Sequence, residues 1–413
     1  MSLSEELEKR GFIGQFSGES LASILDGKKH TLYHGIDPTA DSAHVGNFVV
    51  WMLLRHLIAD GHKVVFLVGG GTGMIGDPKP DSERMLSARA EVAERVEKIK
   101  TQAERILGGH SIEFVDNYDW LAKIDLMSFL RNIGKHFTVN ELVKKDAIAR
   151  RLQSENGLSY TEFAYPLLQA FDYLTLYREK GCTLQVGGSD QWGNMVAGVD
   201  LIRRVEQVEV HVVTVPLIID KSTGKKFGKS EGNAVWLAAE KTSPYTFYQF
   251  WFNVSDENVI DYLKLFTVEP LSDIAALETE LVHNPGGRQA QKTLAYDVTV
   301  LVHGALIARS VEKVAACLFG DVAPDELSPE EKEVLLVNAP VVIMASGGAL
   351  VDGLVLSGLA QSKREARTFI QSGAIYVNGD KAVLVDMTLE PARDGALVHV
   401  RRGKKQVAII TFA

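Results

Sequence analysis

The spacing of apolar and polar residues changes several times along this chain. Thr31 to Ile36 reads as a strand, and Lys63 to Val68 is a valine-rich apolar run of the kind buried on both faces of a sheet. Between them, Gly46 to Asp60 carries a helical repeat that stops at Gly61. A charged amphipathic helix is expected over 82–107 and a short strand over Ile112 to Val115. Phe163 to Lys180 then reads as a helix, Thr183 to Gly187 as a strand, Gln191 to Arg204 as a helix and Val208 to Ile219 as a strand. Strand and helix alternate, which predicts an α/β domain over 1–240: a Rossmann-like, doubly wound parallel sheet with helices on both faces.

After Ser243 the pattern turns helical, with Tyr245 to Phe252, Asn258 to Phe266, Asp273 to His283 and Gln289 to Ala308 as expected helices. An α-helical domain is therefore expected over 241–320. The acidic, proline-containing stretch 321–345 reads as a linker. Beyond it, 346–413 holds two helical stretches, Leu350 to Ser357 and Lys363 to Gln371, and a hairpin turning at Asn378-Gly379. That pattern is a small α+β domain.

Composition narrows the class. Hydrophobic residues make up 46% and charged residues 23%, the balance of a soluble globular chain. The two cysteines, Cys182 and Cys317, cannot frame a disulfide scaffold, do not have zinc-site spacing and suit a reducing compartment. The longest apolar run, Phe48 to Ile58, is broken by Arg55 and is too short to span a bilayer. Met1 to Phe16 is charged and has no signal-peptide core, so a cytoplasmic location is expected. The net charge of −9 hides a contrast, because 346–413 holds nine Lys/Arg against six Asp/Glu. A basic tail on an acidic body points to RNA contact through the tail.

Gly71-Thr72-Gly73-Met74-Ile75-Gly76 matches G-x-G-x-x-G after a buried strand, which would fit a dinucleotide-binding dehydrogenase. That motif needs a helix to open at the glycines and hold a pyrophosphate. Here Asp77-Pro78-Lys79-Pro80 follows, delaying the helix and placing a carboxylate where a phosphate should sit. The glycines are better read as letting backbone pass close to a ligand, with Asp77 facing a cation such as an amino group.

Four further segments stand out. They are Tyr33-His34-Gly35-Ile36-Asp37-Pro38-Thr39-Ala40-Asp41-Ser42, Tyr165 to Asp172, Gly187-Gly188-Ser189-Asp190-Gln191-Trp192-Gly193-Asn194, and Lys226-Phe227-Gly228-Lys229-Ser230. Together, and in this order, they resemble the bacterial-type tyrosyl-tRNA synthetases, a class I aminoacyl-tRNA synthetase family, from about Phe12 to the C-terminus. Two departures are visible: Asn47 replaces the second histidine of the first signature, and Phe227-Gly228 replaces methionine and serine in the lysine signature.

The resemblance implies that the chain activates L-tyrosine with ATP and transfers it to the 3′-terminal ribose of tRNA(Tyr). A carboxylate is already ionised at pH 7, so activation calls for alignment and charge neutralisation, not a general base. Thr39 and His44 stand at a helix start, where backbone donors and the helix dipole favour an anion. Lys226 and Lys229 supply charge for the departing pyrophosphate from a loop containing Gly224 and Gly228. These four are the expected catalytic residues. Mg²⁺ is expected on the triphosphate, held by phosphate oxygens and water, with no protein metal site.

By the same resemblance, Tyr165, Gln169 and Asp77 hold the substrate amino group. Tyr33 and Asp172 take the phenol hydroxyl, and Gln191 lies near the reacting phosphate. Tyr165, Gln169 and Asp172 do share one helical face by spacing. Gly35, Asp37, Gly46, Asn47, Gly188, Asp190 and Ser230 complete the implied ATP contacts, with Arg84 a weaker candidate. In the tail, which also resembles an RNA-binding domain of a small-subunit ribosomal protein, Lys363, Arg364 and Arg367 form a strip for tRNA phosphates. A homodimer is implied as well, with the apolar stretch from Phe129 to Val143 as a candidate interface. The competing readings are a tryptophanyl enzyme, an inactive synthetase-derived RNA-binding protein and the dehydrogenase.

Overall fold

Five parallel strands realise the alternation of the first half of the chain. They are β1 (Thr31–Ile36), β2 (Lys63–Val68), β3 (Glu113–Asp116), β4 (Cys182–Gly188) and β5 (His211–Val215), in spatial order β3-β2-β1-β4-β5. Helices α1 (Val45–Ala59), α2 (Arg89–Leu107), α3 (Tyr160–Lys180) and α4 (Trp192–Glu206) lie between successive strands. The structure, a computed structural model, describes every residue except 79–86, 109–111, 154–156, 225–226, 228, 231–232, 320–321, 392–396 and 404–405.

The apolar runs form the strands because both sheet faces are covered. Val64 to Val68 is buried throughout, and so are Leu184, Gln185 and Val186 at the middle of β4. β5 stops short of the expected end at Ile219, because Pro216 has no N–H to give a ladder. Its outer edge is covered by segment 14–17, which runs antiparallel to it. Gly14 N donates to Thr214 O (2.7 Å), and Ser17 N donates to Val212 O (3.0 Å).

A buried ion pair fixes the start of α3. Arg151, in the short helix Asp146–Gln153, donates Nη2 to Glu162 Oε2 at 2.9 Å, and neither side chain is more than 2% exposed. Removing one partner would strand a buried charge, at a cost of about 3–5 kcal/mol. Glu162 stands one turn before Tyr165, so this pair sets where the site-bearing face of α3 begins.

Two compact units divide the chain: 1–242 with 254–294, and 243–253 with 295–413. The expected helical region, 241–320, is therefore shared between them. Its last expected helix is in fact two, Gln289–His303 and Ala305–Phe319, separated at Gly304 with φ 92°. The expected linker, 321–345, contains helix Pro329–Asn338. Its proline and acidic residues are helix-start signals: Ser328 and Glu331 form a capping box around Pro329 at the first position.

The linker stretch also holds β6 (Val341–Met344), the first strand of the tail sheet. α5 (Leu350–Leu356), α6 (Lys363–Gln371), β7 (Ile375–Val377), β8 (Asp380–Lys381), β9 (Val398–Arg402) and β10 (Gln406–Phe412) follow, with sheet order β8-β7-β9-β10-β6. Leu350, Leu354, Ala366, Ile370, Val400 and Ile410 pack as its core. Asn378-Gly379 makes the expected turn, at φ 49° and 90°.

Buried histidines give the first unit a pH signature. His62 Nδ1 accepts the His30 backbone N–H (3.1 Å), and burial pushes the His62 pKa down to about 4. Burial does the same to His56, again to about 4. A base whose folded pKa lies below its ordinary 6.5 contributes stability that is complete above that value and is lost as the pH falls towards 4. The thermal midpoint should therefore be level above about pH 7 and drop between about pH 6.5 and 4. In His62→Gln that slope should shrink. A calorimetric midpoint that stays constant over this interval would contradict the assignment.

Candidate active site

Strand order reverses between β1 and β4. From β1 the chain builds outward through β2 and β3, then returns to lay β4 on the other side of β1. The helices leave on opposite faces there, so a crevice opens at the carboxyl ends of the two strands. It is a cavity of about 1020 Å³. Tyr33, Gly35, Asp37, Thr39, His44, Gly46 and Asn47, from β1 and the start of α1, line one side. Asp77, Tyr165, Gln169, Asp172, Gly188, Asp190 and Gln191 line the rest. Lys226, Gly228 and Arg84 lie outside the described residues, and Lys229 and Ser230 are described only as backbone, a two-residue strand paired with Asn233–Ala234.

The deep end, under α3, is built around Asp172. The carboxylate is 3% exposed; Oδ2 accepts from Asn117 Nδ2 (3.0 Å) and Oδ1 from Trp120 Nε1 (2.7 Å). Burial pushes its pKa up to about 7, with Asp37 and Asp116 adding to the rise and the two donors opposing it. Beside it the Tyr33 hydroxyl is buried with no hydrogen-bond partner among the described residues. Burial and then Asp172 raise the Tyr33 pKa well above its ordinary range, so it is a neutral phenol. A carboxylate with both oxygens oriented, next to an unserved hydroxyl, can receive one more hydroxyl from a ligand.

Nearer the mouth three acceptors converge. Tyr165 donates its hydroxyl proton to Asp37 Oδ2 (2.7 Å), which leaves its oxygen as an acceptor. Burial, then Asp37 and Asp77, drive its pKa far up. Gln169 Oε1 is buried without a partner among the described residues. Asp77 is steadied by Gln191 Nε2 (2.9 Å) and Asn194 Nδ2 (3.1 Å). Three acceptors match the three N–H bonds of an ammonium group. Gln191, expected at the reacting phosphate, spends its amide here on Asp77 and on Asn194 (3.2 Å).

The glycine-rich segment joins the two ends. It forms a short 3₁₀ turn, Thr72–Met74, and no helix opens at the glycines. Gly70 is required by protein: a Cβ there would lie 2.3 Å from the Asp116 carboxylate. Thr72 Oγ1 donates to Asp37 (2.6 Å) and accepts from Asn117 Nδ2 (2.8 Å), while Gly71 N donates to Asn117 Oδ1 (2.8 Å). The dehydrogenase reading therefore fails on geometry, since these backbone and side-chain groups hold one another.

At the start of α1, His44 is the N-cap. Its Nδ1 accepts from Gly46 N (3.0 Å), which places the proton of the neutral ring on Nε2. Asn47 Oδ1 accepts from His44 N (3.2 Å), closing a capping box and leaving its amide nitrogen as the donor. The segment that follows the lysine signature meets the first signature here. Val45 N donates to Val235 O (3.0 Å), Leu237 N to Ala43 O (2.9 Å), and His44 bridges Trp236 in antiparallel fashion. Within the lysine segment, Phe227 is buried against Tyr262 and Phe266, with centroids at 4.6 and 5.3 Å. The departure at Phe227 is thus an anchor for the loop.

Asp190 stands exposed in the turn after β4; a Cβ on Gly188 would lie 2.6 Å from its Oδ1. In the tail, Lys363, Arg364 and Arg367 occupy the exposed face of α6, opposite buried Ala366 and Ile370. Lys363 is drawn to Asp352 (2.5 Å). Sequence reasoning missed Asn117, Trp120, Thr72 and Trp236 as parts of the site. Asn117 was findable, since it follows Asp116 at the carboxyl end of a parallel strand.

Residues 25–320 match the family profile of class I tRNA synthetases (W and Y), and 331–410 match the SYY-like C-terminal domain of tyrosine–tRNA ligases. The tyrosine–tRNA ligase of Streptococcus mutans is 44% identical over 422 residues and all of both chains. Tyrosine–tRNA ligase 2 of Enterococcus faecalis is 45% identical over 419 residues, 99% of each chain. Among solved structures, a C-terminally truncated mitochondrial tyrosyl-tRNA synthetase of Aspergillus nidulans superposes with a TM-score of 0.70 at 29% identity, covering 77% of this chain and 94% of its own. This likeness runs through both profiles and the full length, and it sets the tryptophanyl reading aside. The chain belongs to the tyrosyl-tRNA synthetases, the tyrosine–tRNA ligases of class I.

Proposed function

We propose that this one cavity performs both steps of tyrosine–tRNA ligation, with L-tyrosine held along α3 and ATP across the start of α1. The supporting observation is the pair of complementary ends: an oriented carboxylate beside a free phenol, and three acceptors gathered near the mouth. The phenol hydroxyl of tyrosine lies between Tyr33 and Asp172, and its ammonium between Tyr165, Gln169 and Asp77. Its carboxylate then projects towards the α1 N-terminus.

In the first step a tyrosine carboxylate oxygen bonds to the α-phosphorus of ATP, the bond to the bridging oxygen breaks, and pyrophosphate leaves. Thr39, the His44 Nε2 proton and the amides at the start of α1 stabilise phosphate charge. Lys226 and Lys229, on either side of the Phe227 anchor, neutralise the pyrophosphate. Asp190 and Gly188 take the ribose side, with Gly35, Asp37, Gly46, Asn47 and Ser230 completing the nucleotide contacts. Gln191 acts through Asp77 by positioning it.

Mg²⁺ belongs to this reading as an ion carried in by the triphosphate. Of the cavity carboxylates, Asp37 and Asp77 each have both oxygens engaged by protein donors. The ion then rests on phosphate oxygens and water, where it neutralises charge. The exposed Arg364 and Arg367, with Lys363, take tRNA(Tyr) phosphates. A homodimer through exposed Leu126, Met127, Leu130 and Val139, and work in the cytoplasm, complete the reading. No helix among the described residues is long and apolar enough to cross a membrane.

ATP–pyrophosphate exchange, run with each amino acid in turn, tests the whole: exchange should depend on tyrosine alone. Silence with every amino acid would leave only an inactive RNA-binding protein. In Lys229→Ala, kcat should fall about 100-fold while the KM for tyrosine stays within about twofold, as expected for a contact made in the transition state. Equal effects on both would contradict that role.

Asp172 gives a pH test. Because burial holds its pKa at about 7, kcat/KM for tyrosine should decline as the pH falls through that value. Asp172→Asn should lack this limb, lose about 10- to 100-fold in kcat/KM for tyrosine, and discriminate less against phenylalanine. An unaltered pH profile in the variant would refute the assignment.

For the tail, substitution is cleaner than truncation, because its sheet already begins at Val341. Arg364→Ala combined with Arg367→Ala should leave tyrosine-dependent exchange intact and weaken tRNA charging by about 10-fold at low salt, less at higher salt. Charging at the normal rate would remove tRNA contact from this face.

A further inference from the structure

The cavity has a second lobe on the side of α1. Val49 and Val50 from α1, with Val215, Pro216, Leu217 and Ile218 at the end of β5, form an aliphatic wall. Such a wall suits the faces of a purine, and a side chain beside it with both a donor and an acceptor can read the polar edge of the base. Gln15 stands at this lobe.

The backbone of Gln15 is tied to β5 at three points. Its N–H donates to Thr214 Oγ1 (2.9 Å), and its carbonyl accepts from the Thr214 N–H (2.8 Å) and hydroxyl (3.1 Å). Gly14 runs so close to β5 that a Cβ there would lie 3.1 Å from Pro216 N and 3.2 Å from Thr214 O. Covering the sheet edge is work for the backbone alone. The Gln15 side chain is exposed and enters none of the described hydrogen bonds. An immobile backbone therefore carries an uncommitted carboxamide at the rim of an apolar slot.

We propose that Gln15 is a base-specificity residue, its carboxamide pairing with the amino group and adjacent ring nitrogen of the adenine of ATP. A carboxamide sets an acceptor beside a donor, the complement of adenine's N6 amino group and N7. This rests on the placement of ATP in the cavity proposed above. A base carrying a carbonyl oxygen in place of the amino group, as in inosine triphosphate, meets the carboxamide oxygen acceptor to acceptor.

Tyrosine-dependent pyrophosphate exchange with ATP and with inosine triphosphate provides the test. The unmodified chain should favour ATP. Gln15→Leu should lose about 10-fold in kcat/KM for ATP and little for inosine triphosphate, so that the ratio between them collapses. The KM for tyrosine and the thermal midpoint should not move. Should Gln15→Leu melt early, Gln15→Glu keeps the size and removes the donor, and the same loss for ATP is expected. A wild-type nucleotide ratio in both variants would overturn the proposal. An unmodified chain with no tyrosine-dependent exchange would instead overturn the placement of ATP itself.

Discussion

Everything at the site depends on one constraint of sheet topology: β1 is flanked on both sides by parallel neighbours that the chain reaches in opposite directions. Parallel strands all end at the same edge, so the loops after β1, β3 and β4 must gather there. The helices that cover β1 and β4 lie on opposite faces, which leaves a seam open between them. The crevice is therefore a consequence of strand order, before any functional residue is chosen. Asp37, Asn117 and Asp190 come from distant parts of the sequence, yet each sits just past the end of a strand.

A second layer of organisation uses hydrogen bonds that cost the fold little. The capping box of His44 and Asn47 serves the orphan amides of α1, and it also fixes which ring nitrogen faces outward. The strand-like pairing of Ala43 to Val45 with Val235 to Leu237 ties the far end of the lysine segment to that same helix start. Phe227 supplies the other tether through burial.

Much of this was legible in the sequence, for identifiable reasons. The α/β alternation was readable because Val64 to Val68 and Leu184 to Gly187 are buried runs. The site face of α3 was readable because Tyr165, Gln169 and Asp172 follow helical spacing. The Asn378-Gly379 turn carries its own conformational signal. Trp120 and Thr72 were not legible, because their roles arise only when the ends of β2 and β3 are brought up against α3. The stretch 321–345 was misjudged on composition, where Ser328-Pro329-Glu330-Glu331 states a helix start. The edge-covering role of segment 14–17 needs the end of β5 to be known, and no local pattern gives it.

The chain of contacts from Asp172 through Asn117, Thr72 and Asp37 to Tyr165 runs the length of the amino-acid pocket. In the placement proposed for tyrosine, its two termini face opposite ends of the substrate. On that placement, side-chain preference and main-chain capture belong to one cooperative unit, and substitutions at the two ends will not combine additively. Retargeting this pocket to another amino acid is then a matter of replacing a relay and not a single side chain.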